Sequence, residues 1–392
     1  MDVPRPKLTT HRASISPTLA GHGDGGVAEQ HHGGQMPSSV GFDPTSLQST
    51  LQAWLARQMP DATDVAVSGL HAPTATGHSS ETVLFDASWS NAGTAHAASY
   101  VLRTAPSGHT VFPSYDLGEQ FAVMTLVGTH APTVPLPPLR WYEPDPSVIG
   151  GEFIVMGRVD GQIPPDRLPY TMEGWLLEES SPEQQRELQD SAIDALADIH
   201  AIDWRTTGLD LLDHPTFGVI GLDQQLHFYE DFLEWGRCDH PHERFVEVGR
   251  WLRANRPAPE PAPVLNWGDA RIGNIIFQDH RPAAVLDWEM ATLGPRQVDV
   301  AWFCLFERFF SQELGMANLP GFAPMADVVA RYEARAGVTL GDLGWYTAWA
   351  AYRYALIMMR ICQADTIAEI DGFPEDDNVA TIMLDHVMDE VA

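Results

Sequence analysis

Apolar positions along this chain follow two spacings, and before about residue 40 they follow neither. Residues 1 to about 40 are rich in Gly, His, Ser, Thr and Pro with few large apolar side chains. Such a stretch cannot bury enough surface to offset the entropy of ordering, so a disordered tail is predicted. His22, His31 and His32 lie in it without the fixed geometry that a metal site needs. Leu47, Leu51, Trp54 and Leu55 then recur at helical spacing behind Asp43-Pro44, predicting a leading helix over Phe42 to Met59. A strand is expected from Val65-Ala66-Val67, a small-residue loop over Ser68 to Glu81, and further strands over Thr82 to Trp89 and Tyr100 to Arg103. Leu117, Phe121 and Met124 mark a helix over Asp116 to Val127, and two more strands, Leu139 to Glu143 and Glu152 to Met156, flank the turn Asp145-Pro146-Ser147.

Beyond Gly157 the spacing becomes helical. Ser181-Pro182-Glu183 supplies a capping hydroxyl, a proline in the first turn and an early acid, and Leu188, Ala192, Leu196, Ile199 and His200 follow on one face. That face predicts His200 as a packed helix-end histidine. Further helices are expected over Leu222 to Gly236, His242 to Ala254, Val298 to Phe310, Pro324 to Ala336 and Leu343 to Gln363. Strand spacing returns only at Val264 to Glu289, VLNWGDARIGNIIFQDHRPAAVLDWE. There two short apolar runs are joined by the polar turn Gln278 to Pro282, with Asp269 ahead of the first and Asp287 after the second.

Phosphoryl transfer gives these acids a chemical reading. The reaction needs a carboxylate to orient the attacking hydroxyl, an amide oxygen and a second carboxylate to hold Mg²⁺, and a cation for the moving phosphoryl charge. Protein kinases use an Asp, an Asn five residues later and a further Asp after a short hairpin. Asp269, Asn274 and Asp287 have that arrangement, and Arg271 lies two residues past Asp269.

This stretch resembles the aminoglycoside phosphotransferase family, kinase-like small-molecule phosphotransferases whose motif is roughly HGDxxxxN followed by D-[FW]-[DE]. The resemblance continues through Ala291-Thr292-Leu293-Gly294 and Asp299-Val300-Ala301-Trp302, and more weakly over about residues 60 to 360. Trp267 stands where the family usually has His, a departure that bears on loop geometry more than on chemistry. The resemblance implies an α+β, two-lobed protein-kinase-like fold, with a small antiparallel-sheet N-lobe at 41–157 and a mostly helical C-lobe at 158–392.

The same resemblance assigns further roles. Gly77, Ser79 and Ser80, in Gly77-His78-Ser79-Ser80-Glu81-Thr82, would cover the nucleotide phosphates. Met156 would back an adenine pocket, and Val159 would lie in the hinge, Gly157 to Gly161. The third strand of a kinase supplies a phosphate-gripping lysine, but Lys7 in the tail is the only lysine, so Arg103 takes that position with its bidentate fork. Glu119 or Gln120 would orient Arg103 from the following helix. Asp299 would either brace the catalytic loop or cap its helix.

Composition narrows the partners. The 392 residues carry 53 acids against 23 bases, a formal net charge of −30 that argues against nucleic acid or an anionic membrane. Acidity serves solubility and would also attract a cationic acceptor; Asp160, Asp166, Glu173 and the Asp371 to Asp377 run are candidate rim acids. No apolar run has membrane-spanning length. Cys238, Cys304 and Cys362 lack CxxC spacing and read as buried thiols of a reducing compartment. The N-terminus lacks a secretion pattern, so a cytoplasmic setting is expected.

The combined expectation is an Mg²⁺-dependent transfer of the γ-phosphate of ATP or GTP to a hydroxyl of a small molecule. Asp269 and Arg271 would be catalytic, Asn274 and Asp287 metal-binding, and Gly77, Ser79, Ser80, Arg103, Met156 and Val159 nucleotide-binding. The rival is a nucleotide-binding pseudokinase, prompted by Trp267, Gln120 and the absent lysine. Protein substrates are disfavoured because no D-F-G to A-P-E segment follows Asp287. Oligomeric state and acceptor are not written in these residues.

Overall fold

The computed structural model describes residues 44–72, 81–106, 108–166, 168–237, 240–364 and 377–391. The tail, Gly77, Ser79, Ser80, Cys238 and residues 371–376 lie outside them. In chain order the elements are α1 (Pro44–Gln58), β1 (Ala62–His71), β2 (Glu81–Asn91), β3 (Thr94–Thr104), α2 (Leu117–His130), β4 (Leu139–Glu143) and β5 (Phe153–Gly157). Then come α3 (Trp175–Glu178), α4 (Pro182–His200), α5 (Trp204–Thr207), α6 (Leu222–Gly236), α7 (Glu243–Ala254), β6 (Pro263–Asn266), β7 (Ile275–Gln278), β8 (Arg281–Val285) and β9 (Thr292–Pro295). The last four are α8 (Gln297–Arg308), α9 (Met325–Ala336), α10 (Gly344–Cys362) and α11 (Val379–Val391). No helix among the described residues is long and apolar enough to cross a membrane.

The first five strands make an antiparallel sheet in the order β1-β2-β3-β5-β4. β3 begins at Thr94, six residues before the apolar signal at Tyr100, because its first half is a backbone ladder on β2 whose small side chains face solvent. Ala92 and Gly93, both at positive φ, close that hairpin with the twist a two-residue turn requires. β5 is buried at every position. Phe153 and Val155 join Leu51, Trp54, Phe85 and Leu102 in one core under α1, while Ile154 and Met156 join the larger core on the α2 side. An unbroken apolar run is what a strand covered on both faces requires.

The rest is mostly helical. Ser181 accepts from the Gln184 backbone while the Gln184 side chain accepts from the Ser181 N–H, a capping box that starts α4 where the Ser-Pro-Glu signal predicts. α8 and α10 are buried on nearly all sides. α8 ends at Arg308 and passes into a π-helical turn over Phe309–Glu313, so the expected helix to Phe310 changes winding near its end. β6 pairs with β9 and β7 with β8, and these two small ribbons bracket the catalytic-loop sequence.

Packing of α1 against the sheet should account for much of the stability of this lobe. Leu51 is fully buried there, so Leu51→Ala is expected to cost about 2–5 kcal/mol. Urea unfolding of the two chains checks this; a loss under about 1 kcal/mol would mean that α1 does not close this core.

Candidate active site

Asp299 on α8 is fully buried and organises the loop between β6 and β7. Its Oδ2 accepts from the Trp267 N–H at 2.6 Å and its Oδ1 from the Gly268 N–H at 3.1 Å. His200 Nε2 sits 3.1 Å from the same Oδ2, and its Nδ1 is 2.6 Å from the Tyr332 hydroxyl. His200 is therefore packed, as its helix face predicts, and also braces the loop; burial pushes its pKa down against the pull of Asp299. Of the two readings for Asp299, loop bracing is the one observed. Gly268 has φ +96, and a Cβ there would meet the Met290 carbonyl oxygen, so no other residue fits.

Trp267, where the family pattern has His, is 1% exposed, and its indole N–H donates to the Leu286 carbonyl at 2.8 Å. It thereby ties the loop to the end of β8, one residue before Asp287. The Leu286 N–H donates in turn to the Asn274 carbonyl at 2.8 Å, which brings the backbones of the two predicted metal-binding positions together.

The Asp269 carboxylate accepts from Trp302 Nε1 at 2.8 Å, Asn274 Nδ2 at 2.6 Å and Arg271 Nε at 3.1 Å. Trp302 lies three residues after Asp299 on α8, so the helix presents both to one loop. Trp302 lies within the Asp299-Val300-Ala301-Trp302 motif, and its i, i+3 relation to Asp299 is the signal in the sequence for this role. Arg271 also pairs with Asp166, until now only a rim acid, and lies over the Phe306 ring at 5.4 Å. Burial opposes the Arg271 charge, but Asp269 and Asp166 more than offset it and raise its pKa.

Arg103 corrects one expectation. Its Nη2 is 2.9 Å from Asp287 Oδ1 and 3.9 Å from Glu289 Oε2. Glu119 pairs instead with His214 at 3.4 Å, and Gln120 is buried on α2. The acids that match Arg103 come from the segment after β8, where charge at close range outweighs the burial penalty and raises the arginine's pKa. Asp287 has φ +61, a left-handed conformation rare for Asp that costs energy and needs surrounding structure to hold it.

The donor set suits a hard divalent cation. Asn274 Nδ2 donates to both the backbone and the side chain of Asp269, at 3.1 and 2.6 Å, so its amide oxygen and the Asp287 carboxylate are the oxygens that would hold such an ion. Mg²⁺ is commonly bound through one or two protein oxygens plus substrate phosphates, in place of a full protein cage. No cluster of three or more His, Cys, Asp or Glu is found among the described residues. Met156 is buried and Val159 half-buried, at the end of β5 and just beyond it. Of the predicted rim acids, Asp160 pairs with Arg158 at 3.1 Å on the surface.

The model of the phosphotransferase enzyme family matches residues 77–352. A putative aminoglycoside phosphotransferase from Ralstonia eutropha superposes with a TM-score of 0.62 at 21% identity, covering 87% of this chain and 98% of that one. The GDP and kanamycin complex of an aminoglycoside 2″-phosphotransferase gives 0.55 at 13% identity, covering 88% and 99%. These likenesses establish a two-lobed α+β kinase-like fold. Among curated sequences, a probable acyl-CoA dehydrogenase of Arabidopsis thaliana is 28% identical over 66% of this chain and 32% of its own length. The human acyl-CoA dehydrogenase family member 11 is 28% identical over 60% of this chain and 28% of its own length. The chain thus spans about a third of the length of the curated relatives it matches.

Glu307 lies on α8 beside a small cavity that Arg271, Tyr170 and Phe310 also line. Burial pushes its carboxyl up to about 8, although Gln189 Nε2 donates to both oxygens. An unfolded Glu titrates near about 4.3, so from there up to about 8 the folded chain keeps a proton that the unfolded chain loses. Stability should fall across that window by up to about 1.4 kcal/mol per pH unit. Glu307→Gln is expected to flatten this limb, gaining about 2–4 kcal/mol relative to wild type between about pH 5 and pH 8. Parallel stability–pH curves from urea titrations would show Glu307 to be ionised in the fold.

Proposed function

Because the chain belongs to the phosphotransferase enzyme family, we propose that it moves the γ-phosphate of ATP or GTP to a hydroxyl of a small molecule, with Mg²⁺. The observation that carries this reading is the convergence of Asp269, Asn274 and Asp287 through the Asn274–Asp269 side-chain bond and the Leu286–Asn274 backbone bond. Asp269 accepts the proton of the attacking hydroxyl while three donors hold its oxygens, so little reorganisation is left for the moment of reaction. Arg271 offers positive charge beside it. Mg²⁺, held by Asn274 and Asp287, would supply charge neutralisation for the transferring phosphate. Arg103 keeps Asp287 in position and offers its charge to the nucleotide phosphates.

Support for a nucleotide donor comes from the GDP complex among the structural neighbours. On this reading residues 41–157 form the nucleotide lobe, with Met156 and Val159 near the base and Gly77, Ser79 and Ser80 over the phosphates. Residues 158–392 carry the acceptor side. By their names, the neighbours include a kanamycin complex of an aminoglycoside phosphotransferase and a macrolide 2′-phosphotransferase, and a cationic acceptor would suit the net charge of −30. A cytoplasmic setting agrees with Cys304 as a buried thiol. One observation favours the pseudokinase alternative: Arg103 already engages the Asp287 carboxylate that the metal would need.

Asp287→Asn tests the metal assignment. It removes a charge at nearly constant volume, so Mg²⁺-dependent nucleotide turnover should fall by about 10²-fold or more while the melting temperature stays close to wild type. Equal Mg²⁺-dependent turnover in a folded Asn variant would overturn the metal assignment of Asp287, and no turnover in wild type across a screen of hydroxyl-bearing amines and non-amines would favour the pseudokinase.

Arg103→Ala should weaken binding of a non-hydrolysable ATP or GTP analogue, and Arg103→Lys should restore part of it, because lysine returns the charge without the fork. Calorimetry reads both. Equal affinity in wild type and alanine variant would leave Arg103 as a brace for Asp287 alone.

A further inference from the structure

α10 carries an arginine into the interior, where no acid among the described residues pairs with it. Arg353 is 2% exposed, and among the described residues its Nε and Nη1 have no hydrogen-bond partner. Its Nη2 donates to the Gly268 carbonyl at 3.2 Å. The guanidinium lies over the Trp302 ring at 4.6 Å and over the Tyr229 ring at 5.2 Å. An arginine selected for stability would bring its fork to a carboxylate; this one is desolvated against two aromatic faces and one loop carbonyl.

Both described contacts with the loop and α8 lead to Asp269. The Gly268 carbonyl belongs to the peptide plane from which Asp269 departs, and Asp299 holds the two N–H groups just before it. The Trp302 ring under the guanidinium is the one whose N–H reaches Asp269 Oδ1. We propose that Arg353 is a positioning residue for Asp269, setting the Gly268–Asp269 peptide plane directly and the carboxylate through the Trp302 indole. The proposal rests on Asp269 being the acceptor of the hydroxyl proton. It explains why this charge is kept in the core: Arg353 holds a loop carbonyl while Asp299 holds two loop N–H groups, and the cation over the indole polarises the N–H that Asp269 receives. Neither contact touches nucleotide or acceptor, so the effect belongs in kcat.

The test uses the full chain and basal hydrolysis of Mg-ATP and Mg-GTP, with melting curves alongside. Arg353→Met should lose about fivefold or more in kcat, since small misplacements of reacting groups cost rate steeply. The nucleotide KM should change less than about twofold, and the melting temperature should not fall, because an unpaired buried charge gives way to an apolar side chain. Arg353→Lys, which restores the cation, should recover part of kcat. A folded Met variant losing less than fivefold overturns the proposal, as does a rate that falls only in step with stability and is not recovered by Lys. Should Arg353→Met fail to fold, Arg353→Gln decides, since it removes the cation and keeps a polar side chain; a fivefold loss in kcat that Arg353→Lys does not show supports the proposal, and an unchanged kcat overturns it. Asp269→Asn runs beside these. Wild-type hydrolysis in that variant removes the Asp269 assignment and this inference with it, whereas its collapse beside an unchanged Arg353→Met removes the inference alone.

Discussion

Two backbone N–H groups on one buried carboxylate hold the active-site loop in shape. Asp299 takes the Trp267 and Gly268 amides at 2.6 and 3.1 Å, with His200 and Tyr332 behind it, all in the interior. A carboxylate so placed costs several kcal/mol in desolvation unless its oxygens are satisfied, and the amides of a tight, glycine-dependent turn would be equally costly unpaired. Each solves the other's problem. The turn that results aims Asp269 at Trp302 and Asn274, and the Trp267 indole passes the constraint on to Leu286 and so to Asp287.

Charge follows the same logic. Arg271 stands between Asp269 and Asp166, and Arg103 stands on Asp287 near Glu289. With a single lysine in the whole chain, and that one in the tail, these partly buried cations are arginines, whose planar fork matches carboxylates in pairs and stays charged when desolvated. The ion pairs hold Asp269 and Asp287 in place and, on the proposed reading, keep positive charge where phosphate oxygens would arrive. Arg353 departs from this pattern, resting on aromatic faces.

Much of this was legible beforehand. Asp269, Asn274 and Asp287 could be picked out as candidates because they recur at short sequence spacing, and one β-hairpin lies between Asn274 and Asp287. Helix starts such as Ser181 were legible because capping is a local transaction among adjacent residues. The first half of β3 was not, since a ladder to β2 leaves no apolar mark on Thr94 to Ser99.

What the sequence by itself determined is local: the β7–β8 hairpin, the periodic helices and the two-sided burial of β5. Only the tertiary structure decided which acid meets which cation. Arg103 lies 184 residues from Asp287 and only 16 from Glu119, yet Asp287 is its partner. Asp166 likewise reaches Arg271 across 105 residues. A charged side chain of either sign carries no record of its partner, because Coulomb attraction depends on distance and burial after folding, and chain order sets neither.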